Sequence, residues 1–317
     1  MTDVREGEAM SVHALVVDQD APGGIRMGEV ADPQPQPHQV LIDVHHVAVN
    51  HGDLRTDVRP PGTVLGCDAS GMVAQAAADG SGPAVGTRVV AFAAGAWAQR
   101  LAVSVDDLAE VPASVDLADA AAVPLAGITA LRTLRAGGPL LGRRVLITGA
   151  SGGVGRVAVQ LAALGGAHVV ASVGSAARGE GLAKLGAHEV VVGLDDVDQP
   201  VDLVLDNVGG SQLVAAWNLL TPGGSLQSIG WASGEPAVFP PYSTFALGSA
   251  KTLSSFGDAA NVGADLAILV GLLGDGKLVA EVGWRGPWGR VTEATAALSG
   301  RRVAGKAVLD VKSHEDS

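Results

Sequence analysis

Several things are scarce in this sequence, and each scarcity excludes something. There is one cysteine, Cys67, in 317 residues, so no internal disulfide and no multi-cysteine zinc lobe can form. Aromatic residues make up 3% of the chain, with a single tyrosine, Tyr242. Lys and Arg together number 21 against 33 Asp and Glu, for a net charge of −12, which argues against a nucleic-acid surface. Only five of those 21 are lysines. No long apolar run is present. The best, "LAILVGLLG" from Leu266 to Gly274, is fenced by Asp265 and Asp275. It is about half of the roughly 20 residues a spanning helix needs, so it reads as a buried helix and no membrane association is expected. The start lacks a basic stretch followed by an apolar one, so no secretory signal is expected. What is abundant is core: 47% hydrophobic and 17% charged residues, with a mean hydropathy of +0.31, exclude a disordered chain. The combination indicates a soluble, cytoplasmic enzyme of about two domains at roughly 150 residues each.

The polar opening "MTDVREGEA" reads as a loose tail. After it come short β-like runs split by Gly and Pro: "VHALVV", "QVLIDVHHVAV", "SGMVAQAA" and "GTRVVAFA". His45 and His46 point to opposite faces of such a strand and do not form one metal site. The character changes near Leu117, and from Arg143 strand and helix alternate. The strands are "RVLITG", "HVVASV", "HEVVVG", "DLVLDNVG", "GSLQSIG" and "KTLSSFG". Helices are expected from Val154, over "ARGEGLAKLG", over "SQLVAAWNLL" and at Asp265. That alternation implies a doubly wound parallel sheet, and near-continuous apolar strands fit burial on both faces. The last 40 residues read as β-α-β.

The strongest local signal is "RVLITGASGGVGRVAVQLA". Gly152, Gly153, Val154 and Gly155 lie where a buried strand turns into a helix. Glycine there allows a tight turn and close approach of backbone to a pyrophosphate, which the free N–H groups of the helix start attract. The end of the next strand selects between nicotinamide cofactors. A carboxylate there would hold the ribose hydroxyls of NAD. This chain instead has Gly174, Ser175 and Arg178, which suit a 2′-phosphate, so NADPH is the expected cofactor. The turn also matches the TGxxxGxG pattern of short-chain dehydrogenases. That family needs Tyr-x-x-x-Lys, and Tyr242 is followed four residues on by Ala246.

The chain instead resembles the medium-chain dehydrogenase/reductase superfamily, in its zinc-independent quinone oxidoreductase and enoyl reductase branch. The marks are "VAVNHGDL", "LGCDASGMV", "GTRVVAF", "AAAVPLAGITAL", "GASGGVGRVAVQLA", "LDNVGG", "LTPGGSLQSIG" and the terminal "GKAVLDV", in that order. The resemblance implies an α/β fold: a GroES-like, mostly β catalytic domain from 1–122 and 276–317, around a Rossmann cofactor domain from 123–275. It also implies a homodimer, which the "TLSSFG" edge strand can form across a two-fold axis. Asn50, Cys67 and Leu125 stand where the zinc alcohol dehydrogenases carry Cys, His and Cys. A catalytic zinc needs three protein ligands that these cannot supply, so no metal is expected.

The implied reaction is reduction of an activated C=C in an enone, quinone or enoyl thioester. Asn50, Thr129, Asn207, Val208, Gly230, Trp231, Phe256 and Lys306 match family positions around the cofactor. Asn50, Tyr242 and His51 are the candidate catalytic groups, with solvent as another source of the proton. Asp53 and Asp68 are expected to serve structural hydrogen bonding. Trp97, Trp284 and Trp288 are either walls of the cleft or core. Two other readings stay open: a tailoring enoyl reductase for a bulky metabolite such as an aromatic polyketide, and a non-catalytic NADPH-binding protein like the lens crystallins of this family.

Overall fold

The computed structural model describes residues 11–245 and 248–311; the opening tail lies outside them. In chain order the strands and helices are β1 (Ser11–Val17), β2 (Ile25–Ala31), β3 (Gln39–Val49), β4 (Asp68–Gln75), β5 (Arg88–Phe92), β6 (Arg100–Ser104), β7 (Leu108–Glu110), α1 (Leu117–Ala121), α2 (Pro124–Ala136), β8 (Arg144–Ile147), α3 (Gly153–Leu164), β9 (His168–Val173), β10 (Glu189–Val192), β11 (Val201–Asp206), α4 (Gly210–Asn218), β12 (Leu220–Ser228), β13 (Thr252–Ser255), α5 (Gly263–Gly274), β14 (Val282–Pro287), α6 (Val291–Ser299) and β15 (Lys306–Asp310). None of these helices is long and apolar enough to cross a membrane.

Two sheets carry the architecture. The first runs β14-β15-β3-β4-β5-β7, with β6 also on β3, and is mostly antiparallel. The C-terminal segment completes it: Ala307 pairs with Val49 and Leu309 with Val47. The chain therefore leaves this sheet near Leu117 and returns to it 165 residues later, at Val282. The second sheet is all parallel, in the order β10-β9-β8-β11-β12-β13. Numbered from β8, that is 3-2-1-4-5-6, and the order reverses between β8 and β11. Ligands of such sheets bind outside the strands' C-terminal ends at that reversal.

The central strands of the second sheet, β8, β9 and β11, are largely apolar and buried because helices cover both faces. Leu146, Val170, Val204 and Leu226 pack under α4, while Val145, Ile147, Leu203 and Leu205 pack with α2, α3 and α5. The latter cluster continues into Val90 and Ala109 of the first sheet, so one core runs through both lobes. The expected helix over "ARGEGLAKLG" is instead a 3-10 turn, Ala176–Gly179, followed by further turns. Gly181 and Gly186 there adopt φ of +83° and +108°, which an α-helix cannot accommodate.

Candidate active-site cleft

The glycine-rich turn is built as its residue types require. Gly149 has φ of +60°, and a Cβ on Gly155 would lie 2.5 Å from the Gly149 carbonyl oxygen and 2.6 Å from the Ala150 Cα. Only hydrogen fits there, so the first turn of α3 closes down on the end of β8. Gly153 and Val154 open the helix half-buried, and the Gly152 N–H just before them donates back to the Gly149 carbonyl at 3.0 Å. The buried Ser151 Oγ has no hydrogen-bond partner among the described residues.

At the end of β9, Gly174 and Ser175 are exposed, and the Arg178 guanidinium reaches back to 3.6 Å from where a Gly174 Cβ would stand. Among the described residues Arg178 has no carboxylate partner. Burial, then the charge of Arg301, pushes it below its ordinary value. Arg301 was not anticipated from the sequence. It follows α6 with φ of +56°, an uncommon conformation for a residue with a side chain, and its Nη2 donates to the Ala232 carbonyl at 3.2 Å. One cation thus spans from the first lobe to the turn after β12, near a second cation at the end of β9.

Beneath them lies a buried polar network. Lys306, 5% exposed, donates from Nζ to Asn50 Oδ1 at 2.5 Å and to Asp68 Oδ2 at 3.1 Å. Asn50 Nδ2 donates to Asp68 Oδ2 at 3.0 Å and to the Cys67 thiol at 3.6 Å. Asp68 Oδ1 accepts from the Leu125 N–H at 3.0 Å and from Cys67 Sγ at 3.6 Å. The Asn50 amide is therefore oriented by its neighbours, with both its N–H groups already engaged. Asp53 caps the turn after β3, its Oδ2 accepting from Asn50 N at 2.8 Å. Burial, then repulsion from Asp68, pushes the Asp53 carboxyl up to about 6. Burial, then the charges of Asp68 and Asp53, pushes the Cys67 thiol far above its ordinary value, so it stays protonated. His51, next to Asn50, is exposed in the cleft. Loss of surrounding water, then the charges of Arg301, Lys306 and Arg178, pushes its imidazole below the usual value. It is neutral at pH 7.

The lobes meet along α3. Gly152 bridges Gly305, and Gly305 N donates to the Ser151 carbonyl at 3.1 Å. Arg156 pairs with Glu281 and donates to the Glu180 carbonyl; Gln160 exchanges two hydrogen bonds with the Val279 backbone. Lys306 lies against Gly153, where a Cβ would meet its Cδ at 2.8 Å.

The ends of β8 and β11 are knotted together. Thr148 Oγ1 donates to Asp206 Oδ1 at 2.6 Å, Gly209 N donates to Asp206 Oδ2 at 2.8 Å, and Asn207 Nδ2 donates to the Thr148 carbonyl at 2.9 Å. Asn207 thus holds the two strand ends together. Gly230 packs on the Asn207 carbonyl, and Trp231 follows it, exposed. Phe256 ends β13 half-buried, and Thr129 is buried on α2.

Tyr242 is not brought to this cleft. It is 88% exposed, and the next residue accepts through its carbonyl from Trp217 Nε1 on the last turn of α4. Helices of a doubly wound sheet run against the strands, so that turn lies at the edge opposite the site. Trp97 is fully buried, its indole N–H on the Ala48 carbonyl, and is core rather than a wall; Trp284 and Trp288 pack on the same core.

A β-rich lobe joined to a 3-2-1-4-5-6 parallel sheet, with a glycine-rich turn at its reversal, defines a two-lobed dinucleotide-binding protein. Residues 36–113 match the alcohol dehydrogenase GroES-like domain and 153–269 match the zinc-binding dehydrogenase domain. The chloroplastic quinone-oxidoreductase QR1 of Triphysaria versicolor is 30% identical over 327 residues, covering 90% of this chain and 94% of that protein. A mycobacterial protein solved in complex with NADPH superposes with a TM-score of 0.84 at 26% identity, over 95% of this chain and 100% of that one. The erythronolide synthase EryA2 of Saccharopolyspora erythraea is 33% identical over 86% of this chain. The chain spans 8% of that synthase, and 11% of the matching phenolphthiocerol/phthiocerol polyketide synthase polypeptide of Mycobacterium tuberculosis. The chain belongs to the medium-chain dehydrogenase/reductase superfamily, in its quinone oxidoreductase and enoyl reductase branch.

Proposed function

We propose that this protein is an NADPH-dependent oxidoreductase that reduces an activated C=C in a small enone, quinone or enoyl thioester without zinc. The network around Asn50 carries this reading. A zinc at this place would need deprotonated or neutral N, S or carboxylate ligands. Leu125 has no ligand atom, the Cys67 thiol is held protonated, and the Lys306 ammonium already occupies Asn50 and Asp68. The residues do not fit a catalytic metal, and among the described residues no three His, Cys, Asp or Glu gather to hold one elsewhere.

The residues do fit the cofactor. The first turn of α3, after Gly152, offers N–H groups to the pyrophosphate, and Ser151 Oγ is a spare donor beside them. Ser175 and Arg178 receive the 2′-phosphate, with Arg301 as a second cation within electrostatic reach. Asn207, Val208 and Gly230 edge the nicotinamide end, with Thr129, Phe256 and the Asn50–Lys306 pair around it. NADPH, when bound, supplies the hydride. Charge then develops on the substrate's carbonyl or quinone oxygen, and a donor must meet it. The neutral His51 imidazole carries one N–H suited to that task, and with Tyr242 outside the cleft the proton that completes the reduction comes from water. The chemistry needs no residue that changes its own charge.

The test follows NADPH oxidation at 340 nm against a simple quinone, a linear enone and an enoyl thioester, with NADH in parallel. Turnover with NADPH and not NADH is expected. Tight NADPH binding without turnover on any of the three refutes the catalytic reading, and no NADPH binding refutes the whole of it.

A further inference from the structure

Among the described residues, Trp231 is the one large aromatic side chain exposed where the second sheet meets the other lobe. It is 49% exposed in a chain with 3% aromatics. Its placement is built. One side of the indole lies on Gly209, where a Cβ would stand 2.7 to 3.0 Å from Cδ2, Cε2 and Cγ; only glycine, here at φ of +72°, lets the ring down. The indole N–H is spent on the Glu235 carbonyl within its own turn. That turn is pinned to the end of β11 by Ser233 N donating to the Val208 carbonyl at 2.8 Å, and to the opposite lobe by Arg301 on the Ala232 carbonyl at 3.2 Å.

The ring is therefore fixed, its polar atom is satisfied, and what remains open offers face contact and no hydrogen bond. Arg301, from the other lobe, donates to the neighbouring Ala232 carbonyl, so the turn that carries the ring is one at which the two lobes meet. A preorganised apolar surface of this kind favours flat, conjugated ligands, because face-to-face or edge contact with another ring adds to simple burial. We propose that Trp231 is a specificity-determining residue that selects planar ring substrates, quinones or aryl enones, over linear enones. The proposal rests on the reductase reading above and names the substrate shape within it.

The experiment compares wild type, Trp231→Phe and Trp231→Ala on 1,4-naphthoquinone and on a linear enone, with NADPH affinity measured by fluorescence titration. Trp231→Ala is expected to lose about tenfold more in kcat/KM for the quinone than for the linear enone, over any loss the two substrates share; stacking of one ring is worth that order. Trp231→Phe, which keeps a ring, is expected to recover most of the loss. Equal losses on both substrates assign the ring to the cofactor or to the fold and overturn the proposal. Equilibrium dialysis of 1,4-naphthoquinone against the NADP⁺ complex separates this from the reductase reading, since it needs no turnover. If neither substrate is reduced, the reductase reading fails, and dialysis still decides Trp231: binding about tenfold weaker in Trp231→Ala supports it and unchanged binding refutes it.

Discussion

Asp53 is held at an electrostatic cost. Its carboxyl sits at about 6 against an ordinary 3.8, first because it is buried and then because Asp68 faces it. The folded state therefore binds this proton more tightly than the unfolded chain does. The stability it allows is complete below about pH 4 and is lost as pH rises through about 6. Asp53→Asn keeps an oxygen for the Asn50 N–H and removes the charge, so it should be more stable than wild type at pH 7.5, by on the order of 2 kcal/mol, and equal to it near pH 4. Urea unfolding at both pH values checks this, and a variant no more stable at pH 7.5 contradicts the burial argument. Arg178 is the residue-level test of cofactor choice. Arg178→Gln removes a charged donor, so NADPH affinity should fall about 10- to 100-fold while NADH affinity stays within about twofold. Isothermal titration with each cofactor reads both numbers; parallel losses would place Arg178 outside the 2′-phosphate site.

At the scale of the element, the alternation of strand and helix was legible because pattern and burial coincide: β8, β9 and β11 are apolar runs buried on both faces, and α3 and α4 follow β8 and β11 with apolar residues at helical spacing. Legibility failed where glycine overruled composition. "ARGEGLAKLG" has helix-forming residues, yet Gly179, Gly181 and Gly186 break it into turns. It failed again at β2, whose exposed polar positions give no apolar run, and at β7, with three residues. The glycine-rich turn was readable because its glycines are required by contact. Gly155→Ala tests that requirement: the new methyl meets the Gly149–Ala150 backbone, which no rotamer change relieves. The variant should lose at least about 1–3 kcal/mol of stability and most of its NADPH affinity. Thermal unfolding with and without NADPH reports both, and a wild-type profile would mean that the turn is looser than its contacts indicate.

At the scale of the whole molecule, what the sequence hid is what the return of the chain assembles. Asn50 and Lys306 are 256 positions apart, and Arg301 reaches the cleft only because β14, α6 and β15 come back to the first sheet. The same global view gives the last expectation. The second sheet ends at β13, whose four residues are all exposed and whose outer edge is open among the described residues. Phe256 N donates inward to the Ser228 carbonyl, so by strand alternation the Ser255 and Leu253 N–H groups point outward. An open edge of this kind either pairs with a second copy or invites misassembly, and its short length and polar Thr252, Ser254 and Ser255 limit the second outcome. Antiparallel pairing of two β13 strands about a two-fold would join the six-stranded sheets into one of twelve. A homodimer in solution is therefore expected. Ser255→Pro, which removes one outward donor while leaving the inward ones, should shift it toward monomer by about tenfold or more in dissociation constant. Sedimentation equilibrium of wild type and variant decides it: a dimer indifferent to Ser255→Pro uses another face, and a wild-type monomer at micromolar concentration leaves β13 a plain solvent edge.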